Sequence, residues 1–207
     1  EKVINESDRT VEFLKNTVKR IYGAVVMTAD YVERNYPCLD NYLPREVKFI
    51  TTQELLDKYP TLNAKERETA IAKEYGAVFI MQIGGKLSNG EKHDGRAPDY
   101  DDWALNGDLI VYNRVLDSAL ELSSMGIRVD KVSLLKQLEA ENALDRLELP
   151  FHKALVNGEL PFTIGGGIGQ SRLCMQLLQK AHIGEVHASV WPEEEIQKCK
   201  NANIELL

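Results

Sequence analysis

Cysteine is scarce in this 207-residue sequence, which has only Cys38, Cys174 and Cys199. An odd number without metal-ligand spacing offers no disulfide framework and fits a reducing, cytoplasmic compartment. No apolar run comes near the ~18–20 residues that cross a bilayer, so no membrane span is expected. The opening EKVINESDRT has neither the apolar core of a signal peptide nor an initiator methionine, as expected of a fragment or a processed product. Basic residues are outnumbered, 25 Lys and Arg against 32 Asp and Glu, for a formal charge of −7. A broad nucleic-acid footprint needs the opposite balance, so no DNA partner is expected. Repeats, low-complexity tracts and obvious linkers are absent, as is the Gly-Lys-Ser/Thr that closes a Walker loop.

What is present has the composition of a globular protein, 43% hydrophobic and 28% charged, in a length that holds one large or two small domains. Val11, Leu14, Val18, Ile21, Tyr22 and Val25 recur at helical steps, predicting a helix over 7–34 capped by Ser7 or Asp8. A strand is expected at 47–51, helices at 52–59 and 64–75 with Gly76 as a stop, and a buried strand at 77–83. Residues 86–107, rich in Gly, Asp, Asn and Pro, read as a long loop, and such loops are usually functional. Strands 108–112 and 119–123 form a hairpin. Helices follow at 131–142, capped by Asp130, and at 145–157. A glycine cluster precedes a helix over 169–181, which places Cys174 in the core. A last strand at 186–190 and a polar tail complete the chain. Helices and strands do not alternate cleanly, which favours an α+β fold with a largely antiparallel sheet.

Three segments could carry chemistry. In GGGIGQSR (165–172), glycines let a backbone pass close to a ligand, and Arg172 in the first turn of a helix could clamp phosphate or stack on a base. The same residues could simply make a tight turn. Asp108 and Glu121 are acids at or inside otherwise apolar strands. A carboxylate there is costly unless paired, and two converging carboxylates could hold Mg²⁺ beside substrate phosphates. Alternation could instead turn both to solvent. HDGRAPDYDDW (93–103) packs acids, an arginine and two aromatics into a loop that could cover a nucleotide or bind an ammonium group. It could also be a solvated acidic loop.

DLIVY and ELSSMGIRVD followed by GGGIGQSRL resemble the later half of the class II aminoacyl-tRNA synthetase catalytic core, the last segment looking like its third motif. ELLDKYP, AKERETAIAKEYGAVF, IGGKLS, HDGRAPDYDDW, LNGDLIVYN, ELSSMGIRVD and HIGEVHASVWP together resemble the ammonia-dependent asparagine synthetases, the A type of aspartate–ammonia ligase. The resemblance implies a class II-like antiparallel sheet of six to eight strands flanked by helices, with residues 1–207 forming the C-terminal part of one catalytic domain. It implies that ATP, aspartate and ammonia give asparagine, AMP and pyrophosphate through a β-aspartyl adenylate.

Carried over residue by residue, the resemblance assigns Mg²⁺ to Asp108 and Glu121. It places Arg172 against adenine and the terminal phosphate, Gly167 and Gly169 against adenosine, and Leu122, Ser123 and Ser124 near the ribose. Arg128 would grip the α-carboxylate of aspartate, and Asp101 lies in a family-typical loop. The resemblance implies an N-terminal part, with the family's dimer-forming first motif, its second motif and most of the aspartate pocket, that is not among residues 1–207. A homodimer is implied through that part, and residues 1–207 by themselves are expected to be inactive, since a half-site cannot orient both reactants. The step from Trp103 to Leu105 also looks short for the family.

Two other readings remain. One is an aspartyl- or asparaginyl-tRNA synthetase core, although VHASVWPEEE departs from the Phe-Pro-Arg/Lys ending usual there and the acidic charge offers little to tRNA. The other is a synthetase-like, non-catalytic nucleotide-binding regulator, against which Asp108, Glu121 and Arg172 stand together.

Overall fold

The computed structural model describes residues 1–207. A two-residue strand β1 (Lys2–Val3) and a 3-10 turn at Glu6–Asp8 precede the long helix α1 (Val11–Asn35). Thr10 caps α1 in place of Ser7 or Asp8, its hydroxyl accepting from Phe13 N at 3.1 Å. Asp8 is already engaged by Asn5 in the 3-10 turn, so α1 begins later than periodicity suggests. Its buried stripe includes Leu14, Val18, Tyr22 and Val25, as the spacing predicts.

Next come β2 (Lys48–Thr51), α2 (Thr52–Lys58), α3 (Ala64–Tyr75) and β3 (Ala77–Met81). Capping boxes at Thr51/Glu54 and Asn63/Glu66 start the two helices. Gly76, at φ 77°, turns the chain out of α3. Because two helices intervene, β2 and β3 pair in parallel. All other pairings are antiparallel.

A long hairpin follows, β4 (Asp101–Asn113) and β5 (Ser118–Arg128). The expected loop therefore ends sooner than 107. Its acids disguise a strand whose charges meet buried partners. Asp130 accepts from Ser133 N at 2.8 Å and starts α4 (Lys131–Ala140). The single helix expected over 145–157 is divided into a 3-10 turn (Leu144–Glu148) and α5 (Pro150–Val156). Pro150 cannot donate within a helix, but it suits a first position.

The glycine cluster is itself a strand, β6 (Thr163–Ile168), and α6 runs only over Gln170–Leu177. Cys174 is exposed, not in the core. No strand forms at 186–190, where Val190 is 96% exposed. The polar tail instead supplies helix α7 (Glu193–Asn201).

The six strands lie in the order β1-β6-β5-β4-β3-β2. Helix α1 covers one face, where Leu14, Val18 and Tyr22 meet Phe79, Leu109, Val111, Met125, Ile127 and Ile164 in the main core. The opposite face is apolar where Leu55 of α2 and Ile71 of α3 cover Ile50, Val78, Ile80 and Ile110. Toward β5 and β6 that second face opens into a cleft. No helix is long and apolar enough to cross a membrane.

Candidate active site

The cleft has a volume of about 560 Å³ and is lined by residues 95–97, Tyr100, Asp101, residues 121–124, Arg128, residues 166–169 and Arg172. Its chemistry depends on a break in strand register. Asp108 pairs with Ser124 and Leu109 with Ser123, but Ile110 pairs with Glu121. β5 thus carries one extra residue, Leu122, a bulge. Strict alternation would put Glu121 on the face of Ser123, away from Asp108. The bulge turns Leu122 into the α1-side core, 1% exposed, and brings Glu121 onto the face of Asp108.

Asp108 is buried and ion-paired with Arg96. Burial pushes its carboxyl up to about 6, the charge of Glu121 adds to that rise, and Arg96 opposes it. The nearby Ser124 hydroxyl opposes the rise as well. Arg172, at the start of α6, has Nη1 3.5 Å from Glu121 Oε1 and donates to the Glu121 carbonyl at 3.3 Å.

A second cluster adjoins the first. Arg128 is ion-paired with Asp101. It also donates from Nη2 and Nε to Glu1 at 2.8 and 3.1 Å. Its guanidinium carbon lies 4.0 Å from the Tyr100 ring centroid. Burial works to lower the Arg128 pKa, but Glu1 and Asp101 outweigh it and the net shift is upward. The hydrogen bond from Arg128 holds the Glu1 carboxyl below its ordinary range, whereas burial raises that of Asp101 in spite of Arg128. Two glycines make room here. A Cβ on Gly126 would lie 2.7 Å from Asp101 Cγ, and one on Gly165 would lie 2.6 Å from Arg128 Nη2.

The structure therefore brings Asp101, Glu121, Leu122, Ser123, Ser124, Arg128, Gly167, Gly169 and Arg172 to one cleft. Asp108 is buried behind the lining residues and is joined to the cleft through Arg96. Leu122 contributes backbone alone, and its carbonyl already accepts from Gly169 N at 2.9 Å. Ser123 Oγ is buried without a partner. The space where Gly167 would carry a Cβ is open, so a ligand can approach that backbone. Sequence reasoning did not single out Arg96, Tyr100, Glu1, Gly126 or Gly165. The first two lie in the aromatic-flanked acidic loop and Gly165 in the glycine cluster. Glu1 and Gly126 carry no local signal.

Of the loop acids, Asp94 is exposed, but Asp99, Asp101 and Asp102 are paired and largely buried. Asp99 accepts from Arg146 and His152, and Asp102, on the other face from Asp101, pairs with Arg9 at 2.8 Å. Away from the cleft, His182, Glu195 and Cys199 place possible ligand atoms within 4.8 Å of one another. Nδ1 of His182 accepts from Gly184 N at 3.1 Å, so the ring proton lies on Nε2, 3.5 Å from Glu195. That nitrogen has no lone pair free for a metal.

A family model described as aspartate-ammonia ligase matches residues 1–203. Aspartate–ammonia ligases of Clostridium perfringens (strain 13 / Type A) and Fusobacterium nucleatum subsp. nucleatum are 60% and 58% identical over 207 residues. These alignments cover all of this chain and 62% and 63% of the relatives' own lengths. Because they are no longer than the chain itself, neither relative has an additional stretch at Trp103–Leu105. The shortness expected there is shared with these two.

Among solved structures, asparaginyl-tRNA synthetase of Entamoeba histolytica in complex with asparaginyl-adenylate is 17% identical with a TM-score of 0.60, covering 86% of this chain and 44% of that one. Asparaginyl-tRNA synthetase from Pyrococcus horikoshii is 16% identical with a TM-score of 0.59, covering 88% and 47%. These two likenesses establish the fold, a class II synthetase core.

Proposed function

The chain belongs to the aspartate–ammonia ligase family, and from that premise we propose that the intact protein makes asparagine from aspartate and ammonia at the expense of ATP. The residues described span about 62% of the length of the curated relatives. The observation that carries the proposal is the bulge at Leu122, which gathers Asp108 and Glu121 on one face of the sheet opposite Arg172.

In this reading the β-carboxylate of aspartate attacks the α-phosphorus of ATP, forming an O–P bond as pyrophosphate leaves. Ammonia then attacks the activated carbonyl carbon of the side-chain carboxyl group. A C–N bond forms, the bond from that carbon to the phosphate oxygen breaks, AMP departs, and the nitrogen sheds its surplus proton. Arg172 meets the nucleotide with a planar, permanently charged fork, on phosphate or against the base. Gly167 and Gly169 leave backbone free for adenosine, and Ser123 and Ser124 stand near the ribose.

Arg128 holds the α-carboxylate of aspartate. Its Nε–Nη2 edge engages the Glu1 carboxylate in the two-pronged manner suited to that group. Asp101 and Tyr100 fix the guanidinium from the other sides. The donor set also fits a hard divalent cation, since two acidic side chains share a face, and Asp108 is raised chiefly by burial with the charge of Glu121 adding to it. Asp108 and Glu121 would hold Mg²⁺, which when bound neutralises charge on the departing pyrophosphate.

Pyrophosphate release by the intact protein, supplied with aspartate and ATP with and without ammonium, tests the proposal. Aspartate-dependent release with asparagine formed only when ammonium is present supports it. Charging of tRNA in place of free asparagine would favour the tRNA synthetase reading. ATP binding with no AMP formed would favour a regulator.

A further inference from the structure

We propose that Arg96 is a further phosphate-binding residue, the group that meets the terminal phosphates of the nucleotide from the wall of the cleft facing Arg172. This inference rests on the reading of the cleft as a nucleotide site.

The first support is unspent hydrogen-bonding capacity. Arg96 spans the cleft wall to Asp108, and that pairing uses Nη2. Its Nε is buried with no partner of any kind. A guanidinium has five N–H donors, so a buried donor left over is costly unless something comes to accept from it. An orphaned buried donor in the wall of a cavity points to an acceptor-rich occupant, and phosphate oxygens are that.

The second support is the way the loop is held. On one side of Arg96, His93, whose side chain is 1% exposed, lies with Nε2 3.1 Å from Glu68 Oε1 of α3. On the other side, Asp99 accepts from His152 at 3.0 Å and Arg146 at 2.9 Å. Histidine–carboxylate contacts thus pin the segment to two separate parts of the fold. Between the pins, the neighbours of Arg96 are the small, exposed Gly95 and Ala97, which leave the approach to its guanidinium clear. A pinned backbone carrying one long cation is a preorganised anion contact, because most of the ordering cost is already met by folding.

The third support is charge. A metal-bound triphosphate remains anionic, and Arg172 supplies a single positive charge, half committed to Glu121. Arg128 is occupied by Asp101 and Glu1. Arg96 is the remaining arginine of the cleft wall, and its fork matches phosphate as well as carboxylate.

The test is calorimetric binding of inorganic pyrophosphate and, separately, of AMP to the intact protein in the presence of EDTA. Arg96→Gln should weaken pyrophosphate roughly ten- to a hundredfold, the span of a charge-assisted hydrogen bond, and leave AMP within about twofold. Arg96→Lys, which restores the charge, should recover part of the loss, while Arg172→Ala should weaken both ligands. Unchanged pyrophosphate affinity in Arg96→Gln would overturn the inference and leave the cleft assignment standing. Equal losses for AMP and pyrophosphate, not relieved by Arg96→Lys, would overturn it as well, by showing a merely structural role. Failure of the unsubstituted protein to bind either ligand would overturn the cleft assignment and the inference with it.

Discussion

The two faces of this sheet are built from alternate residues of the same strands and have opposite chemistry. Leu109, Met125 and Ile127 point to α1 and close a continuous apolar core. Asp108, Ser124 and Arg128, their immediate neighbours in sequence, point the other way into an open, charged cleft. Asp101 and Asp102 show the contrast within one dipeptide. Asp102 meets Arg9, whose side chain is 8% exposed and also reaches Asp130 at 3.3 Å. It ties the segment before α1 to the sheet. Asp101 meets Arg128 at the cleft. Ion pairs on the first face have no task visible beyond joining elements. Those on the second keep acids at a cost, as the carboxyl of Asp108, raised chiefly by burial and further by the charge of Glu121, shows.

That contrast can be broken from either side. On the α1 face, Arg9→Ala leaves the buried Asp102 and the partly buried Asp130 without their cation. It should cost about 3–5 kcal/mol of stability, the usual penalty for removing one partner of a buried pair, measurable by denaturant unfolding. On the cleft face, Arg172→Ala should leave stability nearly unchanged, since its side chain is half exposed. It should slow adenylate formation in the intact protein by about 10²–10³, or 2.7–4 kcal/mol, and wild-type turnover would remove Arg172 from the chemistry.

Asp108→Asn sharpens the comparison through pH. The carboxyl has an ordinary value of 3.8 and is pushed up to about 6 in the fold, so the folded protein binds that proton more tightly than the unfolded chain. Its contribution to stability is complete below the unfolded value and is lost as pH rises toward 6. Relative to wild type, the variant should therefore gain about 2–3 kcal/mol between acidic and neutral pH, read from unfolding curves at a series of pH values. A constant difference would show that Asp108 ionises normally. The smallest effect is expected at Gly126→Ala. Its Cβ would meet Asp101 Cγ at 2.7 Å and Asn106 Cβ at 2.9 Å, costing about 1–3 kcal/mol by overpacking. If Arg128 serves aspartate, that variant should also raise KM for aspartate more than KM for ATP.

Much of the fold was legible because local signals agreed with tertiary need. The apolar stripe of α1, the capping residue Asp130 and the stop at Gly76 all acted as their chemistry suggests. Where a second condition was needed, the sequence misled. The segment 186–190, expected as a strand, pairs with no strand of the sheet, and the charges of β4 read as loop because their partners, Arg9 and Arg128, are remote in sequence. The glycines at 165–167, expected as a cluster leading into a helix, are strand residues whose lack of side chains clears the cleft.

At the site, the residue types were visible but the geometry was not. Whether Asp108 and Glu121 share a face turns on the parity of the hairpin, and a single bulged residue reverses it. Arg96 was hidden because nothing local says that a loop arginine will reach a strand carboxylate.

The most direct measurement is the anomalous signal of Mn²⁺ in crystals of the intact protein grown with a non-hydrolysable ATP analogue. One ion coordinated by both Asp108 and Glu121, with the triphosphate beside Arg172, is the expected result. Mn²⁺ bound without either carboxylate, or Glu121 turned to the α1 face, would contradict the claim that the Leu122 bulge builds the metal–nucleotide site.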